Sequence, residues 1–236
     1  MDQNPEISVI IPTLNEEKYI ESTLKGLDSQ TFKSFETIIV DGGSKDRTRK
    51  MVGKKARFIT ERKRGPAAAR NTGARIAKGS LFVFTDADTI PSRNLLKIYH
   101  NEFSDKRLVA ATGPIFPLEK ENPLINIGYS FVSFVFVRLS IFLRRPCIVG
   151  ANFAVRRSSF EKAKGFNPKM ITYEDWDLSM RLKRYGKIRY ILRAEVETST
   201  RRITEWGVFG FFKYYMGNIT RYTLLKKPKE DYHPVR

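Results

Sequence analysis

Two acidic side chains one residue apart, Asp86 and Asp88, lie in the segment Thr85-Asp86-Ala87-Asp88. They follow Leu81-Phe82-Val83-Phe84, an apolar run with the composition of a buried strand. Carboxylates placed where a chain leaves a sheet are hard oxygen donors, suited to holding Mg²⁺ or Mn²⁺ against a diphosphate. Asp-Ala-Asp alone is weak evidence and reads more readily as two solvated acids at a strand-to-turn junction, so its neighbours decide.

Those neighbours alternate strand and helix. Ile7-Ser8-Val9-Ile10-Ile11 is a β-branched run that reads as a strand ending at Pro12, and Glu16 to Gln30 follows with helical spacing of Tyr19, Ile20, Leu24 and Leu27. Phe35 to Val40 is a second strand ending at Asp41-Gly42-Gly43-Ser44. A helix over 46–54 and a short strand over 56–59 come next, and Gly65-Pro66 opens a helix through Ala67-Ala68-Ala69-Arg70-Asn71. This β-α repetition predicts an α/β fold with a mostly parallel sheet flanked by helices, and ligands outside the carboxyl ends of its strands. Thr13, Asn15, Asp41, Asp86 and Asp88 all fall at those ends. In the second half, 108–112 and 148–155 read as strands, Glu174 opens a helix that Gly186 ends, 187–202 reads as two extended segments, and 205–225 as a helix. The expected division is a catalytic domain over 1–202, including an apolar helix near 122–143, followed by an amphipathic helix and basic tail over 203–236.

The chain carries 236 residues and a net charge of +18, with 43 Lys+Arg against 25 Asp+Glu. The excess is concentrated after residue 143, which predicts attraction to a polyanion such as a nucleic acid, an anionic lipid or a phosphorylated substrate. One cysteine, Cys147, excludes an intrachain disulfide and a Cys-based metal cluster and reads as structural. The acidic, polar start Met1-Asp2-Gln3-Asn4-Pro5-Glu6 has no signal-peptide pattern, which predicts a cytoplasmic location.

Residues 124–143 are apolar enough in length for a membrane span, yet Asn126, Gly128, three serines and Arg138 interrupt them. A single crossing would also place Asp86 and Asp88 on the opposite side of a bilayer from Glu174 and Asp175. The segment therefore reads as a helix lying on a membrane surface. Arg144-Arg145 and the aromatics Trp206, Phe209, Phe211, Phe212, Tyr214 and Tyr215 suit the inner face of the cell membrane. Packing on the catalytic domain or across a homodimer interface is the other use of such helices.

Five segments in order carry a resemblance: Ser8 to Glu16, Val40 to Thr48, Gly65 to Asn71, Thr85 to Asp88, and Glu174 to Leu178. Together they resemble the family 2 glycosyltransferases, inverting enzymes with the GT-A (Rossmann-like) fold, over roughly residues 6–200. The dolichyl-phosphate sugar synthases are members that this chain is similar to. The resemblance implies that Pro12, Thr13, Asn15 and Glu16 border the nucleoside of a UDP- or GDP-sugar donor, with Asp41 on its base. It implies that Gly43 admits the ligand to the backbone, and that Arg70 and Asn71 line the donor site. Asp86, Ala87 and Asp88 would meet ribose and a Mn²⁺ or Mg²⁺ ion, the ion bound by Asp86 and Asp88. Asp175, beside Glu174, would be the general base that takes the acceptor proton.

The processive members' Gln-x-x-Arg-Trp motif is absent, and Thr198-Ser199-Thr200-Arg201-Arg202 stands in its place. Arg201 and Arg202 would clamp a phosphate, and the departure implies transfer of a single sugar. The expected acceptor is a polyprenyl or dolichyl phosphate or a lipid-linked saccharide. Two rival readings stay open. A sugar-nucleotide nucleotidyltransferase would carry a glycine-rich loop where Pro12-Thr13-Leu14-Asn15-Glu16 stands. A basic nucleic-acid or anionic-surface binder gives no reason for acids at three strand ends, and nucleic acid is not the expected partner.

Overall fold

The computed structural model describes residues 4–63, 65–119, 123–170 and 172–207, with residues 210, 213 and 217. The first half runs β1 (Ile7–Thr13), α1 (Ile20–Asp28), β2 (Phe35–Asp41), α2 (Thr48–Val52), β3 (Arg57–Thr60), α3 (Pro66–Ile76) and β4 (Leu81–Thr85). It continues with β5 (Thr89–Pro91), α4 (Leu95–Glu102), β6 (Leu108–Thr112), β7 (Ile115–Pro117) and α5 (Pro123–Phe142). Then come β8 (Asn152–Arg156), α6 (Arg157–Lys162), α7 (Glu174–Leu182), β9 (Lys187–Tyr190) and β10 (Val196–Thr198). A further helical run covers 201–207.

Seven strands form one sheet in the order β3-β2-β1-β4-β8-β6-β9, with β8 antiparallel to both neighbours and the other pairs parallel. The chain winds outward from β1 through β2 to β3, then returns to place β4 on the other side of β1. The carboxyl ends of β1 and β4 thus flank a topological switch point, where open α/β sheets bind ligands. β1 and β4 are almost wholly buried, because helices cover both faces. Pro12 lies inside β1 rather than ending it. The β1–β4 pairing covers only Ile7 to Ile10, and Thr13 O accepts the Gly42 N–H on the β2 side. Pro12 therefore faces the side that β4 has already left, where its missing N–H breaks no ladder bond.

A second sheet, β5-β10-β7, sits just past Asp88. Ser199 N–H donates to Asp88 O at 3.1 Å, which brings the segment after β10 against the acidic pair. Other expected boundaries move. The helix expected over 16–30 is regular only over α1, the strand expected over 148–155 begins at Asn152, and Arg201 and Arg202 are helical rather than extended. Most of the helix expected over 205–225, with the tail, lies outside the described residues. The carboxamide of Asn152 joins three connections: it accepts from Tyr99 Oη at 2.6 Å and donates to Pro114 O at 3.1 Å and Ala194 O at 2.8 Å.

α5 matches the expected apolar helix. Among the described residues no helix is long and apolar enough to cross a membrane. Its last turn leaves Leu139, Phe142 and Leu143 exposed, Phe142 at 81%.

The buried Tyr99–Asn152 bond fixes the loop that enters the site through Gly150 and Ala151. Tyr99→Phe leaves Asn152 Oδ1 without this donor and should lower the unfolding free energy by about 1–3 kcal/mol. Urea denaturation checks this, and an unchanged midpoint would show the bond to be dispensable.

Candidate functional site

Arg70, on the first turns of α3, is the cation between Asp86 and Glu174. Its side chain is 3% exposed. Nη1 donates to Glu174 Oε1 at 2.6 Å and Nη2 to Asp86 Oδ1 at 2.8 Å. The guanidinium lies 5.5 Å from the Phe166 ring centroid. On its other side passes Gly150, where a Cβ would come within 2.7 Å of Nη2. Gly150 N–H in turn donates to Asp175 Oδ2 at 2.9 Å, and Trp176 N–H donates to Asp175 Oδ1 at 2.7 Å. Asp86, Arg70, Glu174, Gly150 and Asp175 thus form one connected cluster, joining the end of β4 to the start of α7.

Three carboxylates (Asp86, Glu174 and Asp175) share the charge of Arg70. Burial and the Asp175 charge push Glu174 up to about 7, against the pull of Arg70. Burial also raises Asp175, while Arg70 and the Gly150 and Trp176 N–H groups pull it down. Asp175 stays partly exposed, so it remains open to a ligand.

Arg201 forms the second cluster. Its Nη1 and Nη2 reach Glu16 Oε2 and Oε1 at 2.8 and 2.7 Å, and Nη2 reaches Asp88 Oδ2 at 2.9 Å. The guanidinium also stacks 5.0 Å from the Tyr19 ring. Burial pushes Asp88 up to about 6, opposed by Arg201 and Arg202 and reinforced by Asp86 and Glu16. Asp86 and Asp88 fit a hard divalent cation that brings further oxygens with it. Asp86 Oδ2 makes no hydrogen bond among the described residues, and Asp88 offers Oδ2 once Arg201 gives way. No group of three His, Cys, Asp or Glu side chains that could hold a metal occurs among the described residues, so water and phosphate oxygens would complete the shell.

The remaining expected residues fall around this centre with different partners. Pro12 and Thr13 end β1 at the switch point. Asn15 has φ 54°, its N–H donates to Ser44 Oγ, and its Oδ1 accepts from Lys45 N–H at 2.8 Å. The Asp41 carboxylate binds its own turn, accepting from Gly43 and Ser44 N–H at 3.0 and 2.9 Å and from Ser44 Oγ. It shapes the loop whose Gly43 is exposed. Ala87 is buried, with its carbonyl accepting from Thr23 Oγ1. Asn71 turns away from the acids, and its carboxamide exchanges two bonds with the Phe166 backbone, holding the ring that stacks on Arg70.

Two residues were not singled out from sequence. Gly150 offered only its small size as a signal. Glu119 accepts from Ser199 Oγ and Thr200 N–H, both at 2.7 Å, and thereby seats the segment that carries Arg201. It sits in no motif.

The family model described as glycosyl transferase family 2 matches residues 8–163, which span β1 to the segment after α6. The chain belongs to glycosyl transferase family 2. Among relatives of this family 2 member, a chondroitin synthase of Escherichia coli is 25% identical over 194 residues, covering 79% of this chain. Among solved structures, the mannosyltransferase PcManGT from Pyrobaculum calidifontis, in complex with GDP-Man and Mn²⁺, superposes with a TM-score of 0.68 at 22% identity over 87% of this chain. TarS of S. aureus, in complex with UDP-GlcNAc, does so with a TM-score of 0.65 at 20% identity over 83%. These likenesses establish the GT-A fold. The chain spans 28% of the chondroitin synthase, and 60% and 59% of the two solved chains.

The shared charge of Arg70 carries a pH dependence. With its folded-state pKa near 7, above the ordinary 4.5, Glu174 keeps its proton in the native chain at pH values where the unfolded chain has lost it. Stability therefore declines as pH rises through that window. Asp88 contributes with the same sign up to about 6. Glu174→Gln, which cannot titrate, should flatten the decline, most clearly between about pH 6 and 7, in urea midpoints taken across the window. An equally steep decline in the variant would contradict the assignment.

Proposed function

We propose that this chain is an inverting glycosyltransferase, moving one sugar from a UDP- or GDP-sugar to a hydroxyl of a lipid-linked acceptor at an anionic membrane surface. The observation that carries the reading is the joint hold of Arg70 on Asp86 and Glu174. It places a carboxylate suited to the donor and the acid pair containing Asp175 on either side of one guanidinium. Membership of the family supports sugar transfer, and the nucleotide sugars bound by PcManGT and TarS support this donor class.

In this reading the loops after β1 and β2 receive the nucleoside, and Asp86 and Asp88 would hold a divalent cation, which would supply positive charge to offset that of the diphosphate. Asp175, presented by the N–H groups of Gly150 and Trp176, takes the proton of the acceptor hydroxyl. The acceptor oxygen bonds to the anomeric carbon as the bond from that carbon to the diphosphate oxygen breaks on the opposite face. The electron pair leaves with the nucleoside diphosphate, and the configuration inverts. Because burial raises Asp175, the transfer rate should rise with pH until this carboxyl is ionised.

Asp175→Asn should leave binding of UDP or GDP with Mn²⁺ unchanged while slowing transfer by roughly 10²–10⁴-fold. Calorimetry and nucleoside diphosphate release measure the two quantities. Unimpaired transfer by the variant would remove Asp175 from the mechanism. Release of pyrophosphate from a sugar phosphate and a nucleoside triphosphate would instead favour nucleotidyl transfer.

The membrane part rests on the end of α5, where exposed Leu139, Phe142 and Leu143 adjoin exposed Arg138, Arg144 and Arg145. Apolar side chains ringed by cations suit an anionic bilayer surface, each cation contributing about 1 kcal/mol. The protein should co-sediment with phosphatidylserine-containing vesicles and be released by salt. Remaining in the supernatant at low salt would remove the membrane from the proposal.

A further inference from the structure

Arg201 occupies the position that a cation serving Asp88 would need. Of the Asp88 oxygens, Oδ1 turns toward the hydroxyls of Thr89 and Thr198, each at 3.5 Å. Oδ2 is the oxygen held by Arg201 at 2.9 Å. The arginine is seated firmly: both Glu16 oxygens bind it, Tyr19 stacks on it, and its side chain is 14% exposed. Its Nε, however, is buried without a hydrogen-bond partner among the described residues. The fork is thus only partly satisfied where it lies. Arg70 also has a buried Nε without a hydrogen-bond partner among the described residues, but it is more deeply buried and held between Asp86 and Glu174.

We propose that Arg201 is the resident cation of this acidic pocket, and that a divalent metal ion takes Asp88 from it, releasing Arg201 to a nucleoside diphosphate. The inference rests on the reading of Asp86 and Asp88 as metal ligands. Two cations on one carboxylate oxygen repel each other, so metal and guanidinium exclude one another at Oδ2. A guanidinium fork expelled from a carboxylate finds an equivalent bidentate partner in a diphosphate, which arrives with the metal. Metal alone must compete with Arg201, whereas metal with diphosphate offers the arginine a new partner. Loading is therefore cooperative, and it is coupled to the backbone. Arg201 opens the helical run over 201–207, and the preceding Ser199 and Thr200 are tethered by Glu119 and by Asp88 O. Arg201 is thus a positioning residue that governs metal occupancy as well as a contact for phosphate.

The test is Mn²⁺ binding, read from the electron paramagnetic resonance signal of free Mn²⁺, with and without UDP or GDP. Arg201→Gln should bind Mn²⁺ alone on the order of tenfold more tightly than the wild type, the gain expected if Arg201 leaves the carboxylate free in only about a tenth of molecules. UDP or GDP should strengthen Mn²⁺ binding less in the variant than in the wild type, and Arg201→Lys, a charge without the fork, should fall between. Equal or weaker binding by Arg201→Gln, while the wild type binds Mn²⁺ with nucleotide, would overturn the latch and leave the metal reading standing. Absence of Mn²⁺ binding by the wild type even with nucleotide would remove that reading and the latch with it. If Arg201→Gln does not fold, hydrogen exchange of the wild-type protein decides. Amides over 199–207 should change protection when Mn²⁺ and UDP or GDP are added together, and unchanged protection would overturn the proposal.

Discussion

The buried guanidinium of Arg70 is the constraint on which the site depends. A charge removed from water is tolerated only where opposite charges and hydrogen bonds compensate it, and truncating one partner of such a group typically costs about 3–5 kcal/mol. Here the compensation comes from Asp86 at the end of β4 and Glu174 at the start of α7, residues far apart in the chain. The surroundings serve the same end. Phe166 covers the face of the fork, Asn71 holds Phe166, and Gly150 lets the backbone pass close enough to offer its N–H to Asp175. The Asp175 carboxyl group is thus held by the backbone N–H groups of Gly150 and Trp176, and Gly150 itself packs against the arginine.

The two arginine clusters divide the work by depth. Arg70 is enclosed and joins elements of the main sheet, so it belongs to the fold as much as to the site. Arg201 lies on the segment after β10, held by the acids of the β1 and β4 ends, where exchange of one cation for another requires no disruption of the main sheet. In both clusters burial pushes a carboxyl upward, Glu174 and Asp88, and neighbouring carboxylates reinforce it against the arginine partners. These acids are gathered in a chain of net charge +18, whose basic excess favours attraction to anions.

Much of the main sheet was legible because its strands are continuous β-branched and apolar runs, a composition dictated by burial on both faces. β5 and β7 were not legible, since three residues show no periodicity, whereas β9 and β10 are the two extended segments read within 187–202. Pro12 misled as a terminator because its tolerance depends on where β4 ends, a tertiary fact. The acidic motifs were legible in kind, yet their partners were not. Asp41 looked like a ligand group, and the folded chain gives its oxygens to its own turn. Arg201 stood out in the sequence as a cation for phosphate, but its contacts with Glu16 and Asp88 left no local signal. Neither the 104-residue separation of Arg70 from Glu174 nor the need for glycine at 150 leaves a local signal.

If Arg70 and Glu174 form one energetic unit that ties the β4 end to α7, their effects on stability cannot be independent. A double-mutant cycle of unfolding free energies, using Arg70→Met, Glu174→Met and the double variant, measures this directly. The account predicts a favourable coupling toward the upper end of about 0.5–3 kcal/mol, the range for residues in one buried network. Additivity of the two substitutions to within about 0.3–0.5 kcal/mol would contradict it, because that is the behaviour of residues that share no interaction.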